Sequence, residues 1–403
     1  MSTYEVTHLE TGEKVTRQAI LINPYHKPEG QPISQHHIDP EVEDFHRQLP
    51  AYGETQLHSL PSIANELGFA HVVLKDESSR FGLPSFKILG ASWAIHRALC
   101  QRLGLSSSTT LDKVKQTLAS RKESDPTASV RLVTCSEGNW GRAVARMAKY
   151  YDIPATIYVP GFMNEYTRNL IRGEGSNIDL RVLDGSYDDT IAAVQHEAET
   201  DSSALMVMDT SWPGYDEIPG WVTEGYSTLM AEVDRQVADH TPGQQMPVLA
   251  IASVGVGSWA HSVVSHYHRN ASNKVITVEP VAAPSLKESL HCGEIMPIKT
   301  GDTIMNGMNC GTTSTIAWPV LRDGTFAAVT VSDLESHVCV QELQHDSEGV
   351  NAGPCGAATL AALRKACADG SAVNSEDRKG MVVVLFSTEG RREYDVPDDP
   401  KQL

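Results

Sequence analysis

Twice along the chain, short Val/Ile/Leu-rich runs alternate with stretches of helical period, and this pattern restricts the fold more than any other feature. In the first set, strands at Val130 to Thr134, Ala155 to Val159, Ile178 to Leu183 and Leu205 to Met208 are separated by helices at Arg142 to Tyr151, Asn164 to Arg172 and Tyr187 to Glu199. The second set has strands near 248–253, 275–279, 327–331 and 381–386, with helices near 258–269, 333–345 and 355–368. Strands joined through helices of this length pair in parallel with right-handed crossovers. The expected fold is α/β, two doubly wound lobes with mainly parallel sheets. Residues 90–210 form a small lobe, and residues 1–89 with 211–403 form a large one. A ligand then belongs in the cleft between the lobes, at the carboxyl ends of the strands.

The remaining stretches carry less. Residues 1–50 are polar and proline-rich, as in Asn23-Pro24 and Lys27-Pro28, so long helices are not expected and the segment should wrap the main body or a partner subunit. Pro61 to Gly68 reads as a short helix closed by glycine, and His71 to Leu74 as a strand. Residues 105–129 read as a polar surface insertion with no chemistry.

Composition limits the partners. A net charge of −18 over 403 residues argues against nucleic acid or an anionic membrane, and an anionic ligand would need local positive potential. No apolar run is long enough to span a membrane, and Met1-Ser2-Thr3-Tyr4-Glu5 does not resemble a signal peptide. The 7 cysteines are scattered without a C-x-x-C, as suits reduced thiols in the cytoplasm; Cys135 and Cys310 lie near candidate loops but are expected to pack. The 16 histidines include no zinc signature, so no metal is expected, and His36 and His37 read as loop residues.

Four loops could carry chemistry. In Lys75-Asp76-Glu77-Ser78-Ser79-Arg80-Phe81-Gly82-Leu83-Pro84-Ser85-Phe86-Lys87, turn residues set Lys87 at the start of a helix running from about Ile88 to Leu103. Apolar neighbours and the helix dipole there disfavour an ammonium, and a neutral amine can bond a carbonyl. A solvated surface lysine is the plain alternative. Ser136-Glu137-Gly138-Asn139-Trp140-Gly141 follows a strand and offers close backbone approach and an amide, or only a capped turn. Ser253-Val254-Gly255-Val256-Gly257-Ser258-Trp259-Ala260 presents successive N–H groups at a helix start, which suits a phosphate; it lacks the ending of a P-loop and could be a tight turn. Ser387-Thr388-Glu389-Gly390 ends the last strand, with hydroxyls that face the cleft or simply cap. Pyridoxal 5′-phosphate needs such a set: a lysine, an anion cradle, a partner for the ring oxygen and one for the pyridine nitrogen.

On Ser85-Phe86-Lys87 with Gly90-Ala91, the chain resembles the fold-type II pyridoxal-phosphate enzymes, the tryptophan synthase β family. The run from Lys75 to Ala94 resembles the diaminopropionate ammonia-lyase group within it. So do Asp209-Thr210-Ser211-Trp212-Pro213-Gly214-Tyr215, Glu224-Gly225-Tyr226, Met305-Asn306-Gly307-Met308-Asn309-Cys310-Gly311 and Ser387-Thr388-Glu389-Gly390. The resemblance implies that Lys87, beside Phe86, holds the cofactor and takes the α-proton. Asn139 would bond the ring oxygen, while Gly255, Val256, Gly257, Ser258 and Trp259 would cradle the phosphate. Ser387, with Thr388 as rival, would meet the pyridine nitrogen. Asp209 matches an acidic residue near the substrate, and Glu137 stands where the family has the Asp of Asp-Gly-Asn-His-Gly, a second acid/base. Trp140 replaces the imidazole of that motif, and Arg391-Arg392-Glu393-Tyr394 replaces the acidic residue expected after Ser-Thr-Glu-Gly. The implied function is α,β-elimination on a small amino acid, 2,3-diaminopropionate first, by a cytoplasmic homodimer. Alternatives are serine or threonine dehydration, β-replacement, or a non-catalytic small-molecule binder.

Overall fold

The computed structural model of the protein describes residues 2–27, 40–136, 138–185, 187–243, 245–345 and 349–398. Glu137, His36 and His37 lie outside the described residues. Among the described residues, thirteen strands and their connecting helices form two sheets and an N-terminal hairpin. The strands are β1 (Thr3–Thr7), β2 (Lys14–Gln18), β3 (Ile20–Ile22), β4 (Leu57–Ser59), β5 (His71–Asp76), β6 (Arg131–Cys135), β7 (Ala155–Pro160), β8 (Ile178–Leu183), β9 (Ala204–Met206), β10 (Val248–Ser253), β11 (Lys274–Pro280), β12 (Ala327–Val331) and β13 (Val382–Ser387). The β-branched runs behave as expected for strands covered on both faces: β7 and β13 are buried along their whole length.

The large sheet has the order β3-β12-β11-β10-β13-β5-β4, parallel from β12 to β5 with antiparallel strands at both edges. The small sheet, β8-β7-β6-β9, is parallel throughout. In each sheet the chain steps outward from a central strand and then returns to that strand's other side. The switch falls between β10 and β13 in one sheet and between β6 and β9 in the other. Crevices at such points are where doubly wound sheets bind ligands. The Gly255 loop follows β10, the Ser387 loop ends β13, the Asn139 loop follows β6 and the Asp209 segment follows β9. All four loops therefore open at the two switch points.

The N-terminal segment wraps the body, as its composition suggested. Strand β3 pairs with β12, and Arg17 forms two bonds of 2.7 and 2.8 Å with Glu288. Lys287 donates to Tyr4 Oη at 2.9 Å. Residues 105–129 are more than a surface insertion. They include a helix, Leu111–Ser124, whose Leu111, Val114 and Leu118 are buried because their spacing gives the helix one apolar face.

Lys87–Leu103 packs against the helices Pro40–His46, Leu111–Ser124, Asn139–Tyr151 and Glu217–Gly225. It is buried on nearly every side, including Ile88, Leu89, Trp93, Ile95 and Leu99. It meets the helix Glu217–Gly225, which composition had not picked out, at glycines on both elements. A Cβ on Gly90 would sit 2.8 Å from the Tyr226 ring, and one on Gly225 would sit 2.5 Å from the Leu89 carbonyl oxygen. Backbone cannot yield as a flexible side chain can. Gly225→Ala is therefore expected to cost about 1–3 kcal/mol through overpacking, seen as a lowered thermal midpoint. Gly220→Ala in the same helix, where an added Cβ meets nothing within 4 Å, should instead be neutral or raise it.

Candidate active site

The lysine loop leaves β5 and closes on itself between Arg80 and Leu83, each main-chain N–H reaching the other's carbonyl at 2.8 and 2.9 Å. Ser85 Oγ then accepts the Lys87 N–H at 3.2 Å, and the Phe86 N–H donates to the Thr388 carbonyl at 3.3 Å. Lys87 is thus the first residue of its helix, pinned to the end of β13. The Phe86 ring lies 4.8 Å from Trp259 and 4.9 Å from Tyr226, so the apolar surround expected at Lys87 is present.

The charge on Lys87 differs from the sequence expectation. Its side chain is 21% exposed, and Nζ forms a short ion pair with Oδ2 of the buried Asp209. Burial pulls its pKa down, but the Asp209 carboxylate, with Tyr226 beside it, pushes the other way, and the net shift is upward. The ammonium is favoured because a carboxylate 122 residues away lies against it.

Asn139 opens the helix Asn139–Tyr151. The buried Ser136 organises that turn, its Oγ accepting the N–H groups of Gly138 at 2.9 Å and Gly141 at 2.7 Å. Asn139 Nδ2 donates to Glu389 Oε2 at 3.1 Å. The Trp140 indole is buried, donates to Thr134 Oγ1 at 2.9 Å and lies 5.9 Å from Lys87 Nζ. Trp140 is therefore a wall of the site.

In the Gly255 loop, Gly257 has φ +104 and caps the helix Ser258–Tyr267. No acceptor among the described residues takes the N–H groups of Gly255, Val256, Gly257 or Ser258. A Cβ on Gly255 would lie 2.6 Å from the Gly307 carbonyl, and the Ser314 N–H donates to the Val256 carbonyl at 2.8 Å. Ser314 in turn bonds Ser211 Oγ at 2.7 Å. The segments 209–216 and 305–316 thus brace this loop. Cys310 joins the site's edge, its Sγ 3.4 Å from the place of a Cβ on Gly255, whereas Cys135 packs against Met208 at 3.9 Å. The hydroxyl of Ser387 donates weakly to the Glu389 carbonyl at 3.3 Å, and Thr388 beside it is also buried.

The structure brings together Lys87, Asp209, Trp140, Phe86 and Trp259, and joins Asn139 to the Ser387-Thr388-Glu389 turn. Sequence reasoning did not assign Ser136, Tyr226 or Glu389. Ser136 was legible as a cap residue ahead of two glycines, but nothing local marks the other two. The arrangement suits pyridoxal phosphate on its own geometry. Unaccepted N–H groups at a helix N-terminus form an anion cradle, whose loop packs so closely on the Gly307 carbonyl that Gly255 admits no side chain.

Comparison with known proteins agrees. The sequence profile of the pyridoxal-phosphate dependent enzymes matches residues 48–387, and the chain belongs to that family, in its fold-type II arrangement. It is 34% identical over 310 residues to the diaminopropionate ammonia-lyase of Salmonella typhimurium, covering 73% of this chain and 72% of the relative. The crystal structure of the Escherichia coli diaminopropionate ammonia-lyase in complex with D-serine superposes with a TM-score of 0.81 at 27% identity, over 92% of this chain and 93% of that one. A biosynthetic L-threonine dehydratase from Corynebacterium glutamicum is 25% identical over 320 residues, 77% of this chain and 63% of the relative. Within the family this chain is a pyridoxal-phosphate-dependent ammonia-lyase, a carbon–nitrogen lyase.

The Lys87–Asp209 pair gives a direct test. In Asp209→Asn the main opposing influence is gone, and the pull of burial should lower the Lys87 pKa. The neutral amine then appears at lower pH. In enzyme stripped of pyridoxal phosphate, where the Lys87 amine is free, trinitrobenzenesulfonate labelling of Lys87, followed by peptide mass spectrometry across pH 7–10, should run faster in Asp209→Asn than in wild type.

Proposed function

We propose that the enzyme catalyses α,β-elimination on a small amino acid with a β-leaving group, 2,3-diaminopropionate first, giving pyruvate and ammonia. The observation that carries this reading is the contact of Lys87 with Asp209, in a cluster that also holds a wall of aromatic rings. Similarity to diaminopropionate ammonia-lyases supports the choice of substrate. Bound through Lys87, pyridoxal phosphate supplies an electron sink for the charge that develops at the substrate's α-carbon.

The chain's own groups do the rest. Gly255, Val256, Gly257, Ser258 and Trp259 hold the phosphate, Asn139 the ring oxygen, and Ser387 or Thr388 the pyridine nitrogen. A neutral hydroxyl donates to that nitrogen without protonating it, which suits elimination over reactions needing a stronger sink. Lys87 moves the α-proton, and it does so as the free amine. Asp209, which accepts from Lys87 Nζ, takes the part of receiving or returning that proton and of serving the departing β-amine. Glu137 keeps its proposed part as a second acid/base. Trp140 narrows the pocket beside Lys87 and favours short side chains. Residues 90–210 act as the small lobe closing on the cofactor-binding lobe, in a cytoplasmic homodimer. No described helix is long and apolar enough to cross a membrane.

A second reading, elimination of a hydroxyl from serine or threonine, is supported by the similarity to L-threonine dehydratase. Purified enzyme incubated separately with diaminopropionate, serine and threonine should yield 2-oxo acid and ammonia fastest with diaminopropionate. Faster turnover of either hydroxy amino acid would replace the first reading by the second. Lys87→Ala should lose about 10²-fold or more of the rate together with the visible band of bound cofactor.

A further inference from the structure

Asn139 and Glu389 come from different sheets. Asn139 begins the helix after β6, and Glu389 follows β13, 250 positions further on. Their side chains meet at 3.1 Å, Asn139 Nδ2 donating to Glu389 Oε2. An ionised carboxylate only accepts, whereas an amide nitrogen carries two hydrogens and its oxygen none. The contact therefore fixes which edge of the Asn139 amide faces Glu389 and leaves the second N–H for another acceptor.

Glu389 is itself held on several sides. It is 6% exposed, and its Oε1 accepts the Cys355 N–H at 3.4 Å and lies 3.7 Å from Arg392 Nε. Its carbonyl accepts the Gly353 N–H at 2.9 Å, and its main chain bridges to Ser85, the residue that accepts the Lys87 N–H. One buried residue is thus fastened both to the segment carrying Lys87 and to the amide across the cleft.

We infer that Glu389 is a positioning residue for the cofactor ring: through Asn139 Nδ2 it turns the remaining amide N–H toward the ring oxygen of pyridoxal phosphate and holds it in register with Lys87. The inference rests on the assignment of Asn139 to the ring oxygen and is independent of which amino acid is the substrate. A carboxylate that merely capped the loop would stabilise the fold without affecting the cofactor.

The test is a double-mutant cycle on the holoenzyme. Wild type, Glu389→Ala, Asn139→Ala and the double variant are compared by affinity for pyridoxal 5′-phosphate, by the position and pH titration of the bound cofactor's visible band, and by thermal midpoint. Glu389→Ala should weaken cofactor binding by about tenfold and displace the titration. Glu389→Gln, whose amide oxygen still accepts, should recover most of the affinity. In the Asn139→Ala background, Glu389→Ala should have no further effect on affinity or titration. Should Glu389→Ala not fold, Glu389→Asp, which withdraws the carboxylate by one methylene, takes its place in the cycle. Wild-type affinity and titration in the Glu389 variant, or equal losses in both backgrounds, overturn the inference. If Asn139→Ala alone leaves both readouts unchanged, the reading of Asn139 fails and the inference falls with it. If only the Glu389 change is silent, that reading stands and the inference alone is lost.

Discussion

A buried set of four charges holds the lysine loop in place. Lys75, Glu77, Arg80 and Glu232 are all 0% exposed. Arg80 reaches Glu232 through both terminal nitrogens at 2.7 Å and Glu77 at 2.7 and 2.8 Å, while Lys75 donates to Glu232 at 2.7 Å and to the Thr55 carbonyl at 2.8 Å. Burial works against the Arg80 charge, but Glu77 and Glu232 outweigh it and its pKa moves up; for Glu232, Arg80 overcomes burial and the pKa moves down. The formal charges cancel, and losing one partner of such a set typically costs about 3–5 kcal/mol. Three of the four residues lie in the Lys75-Asp76-Glu77-Ser78-Ser79-Arg80 run, so that run is a structural anchor, tied to the helix Ser227–His240.

From that anchor the geometry passes along the chain in short steps. The Arg80–Leu83 turn hands the backbone to Ser85, which bridges Glu389 and accepts the Lys87 N–H. Arg146, on the Asn139 helix, donates to the Phe81 carbonyl at 3.1 Å and to Glu174 at 2.8 Å. The same loop is therefore gripped from the large sheet, through Glu389, and from the helices beside the small sheet, through Arg146. Lys87 is placed by constraints from both sides, and its helix lies within the one core cluster that includes residues of both sheets.

The sheets were legible because each strand announces itself locally. Ile178–Leu183, Val248–Ser253 and Ala327–Val331 span the residues that alternation alone assigned, since β-branched runs bounded by turn residues need no distant information. The loop order was legible for the same reason, and strand order then brings those loops to the two switch points. The pairings across them were not legible. Asp209 was marked through resemblance alone, as an acid near the substrate, and Glu389 not at all; only the fold sets one against Lys87 and the other against Asn139. The protonation of Lys87 went astray for that reason: burial and helix position are written near residue 87, and the carboxylate that outweighs them is not.

The chain's strong negative charge and its anionic cofactor are reconciled at the same place. Lys87 is matched by Asp209, Arg80 and Lys75 by Glu77 and Glu232, and Arg392 lies beside Glu389. Each of these cations is engaged, so none stands as a free counter-charge for a phosphate. What remains is the N-terminus of Ser258–Tyr267, where the Gly255-to-Ser258 N–H groups meet no protein acceptor among the described residues. A helix N-terminus carries about half a unit of positive charge within its first turn. That field is local, so it attracts a phosphate without making the surface generally attractive to polyanions. Under the proposed function, neutral pairing around Lys87 and unpaired dipoles at Gly257 would divide two tasks, proton handling and phosphate anchorage, between groups that do not compete.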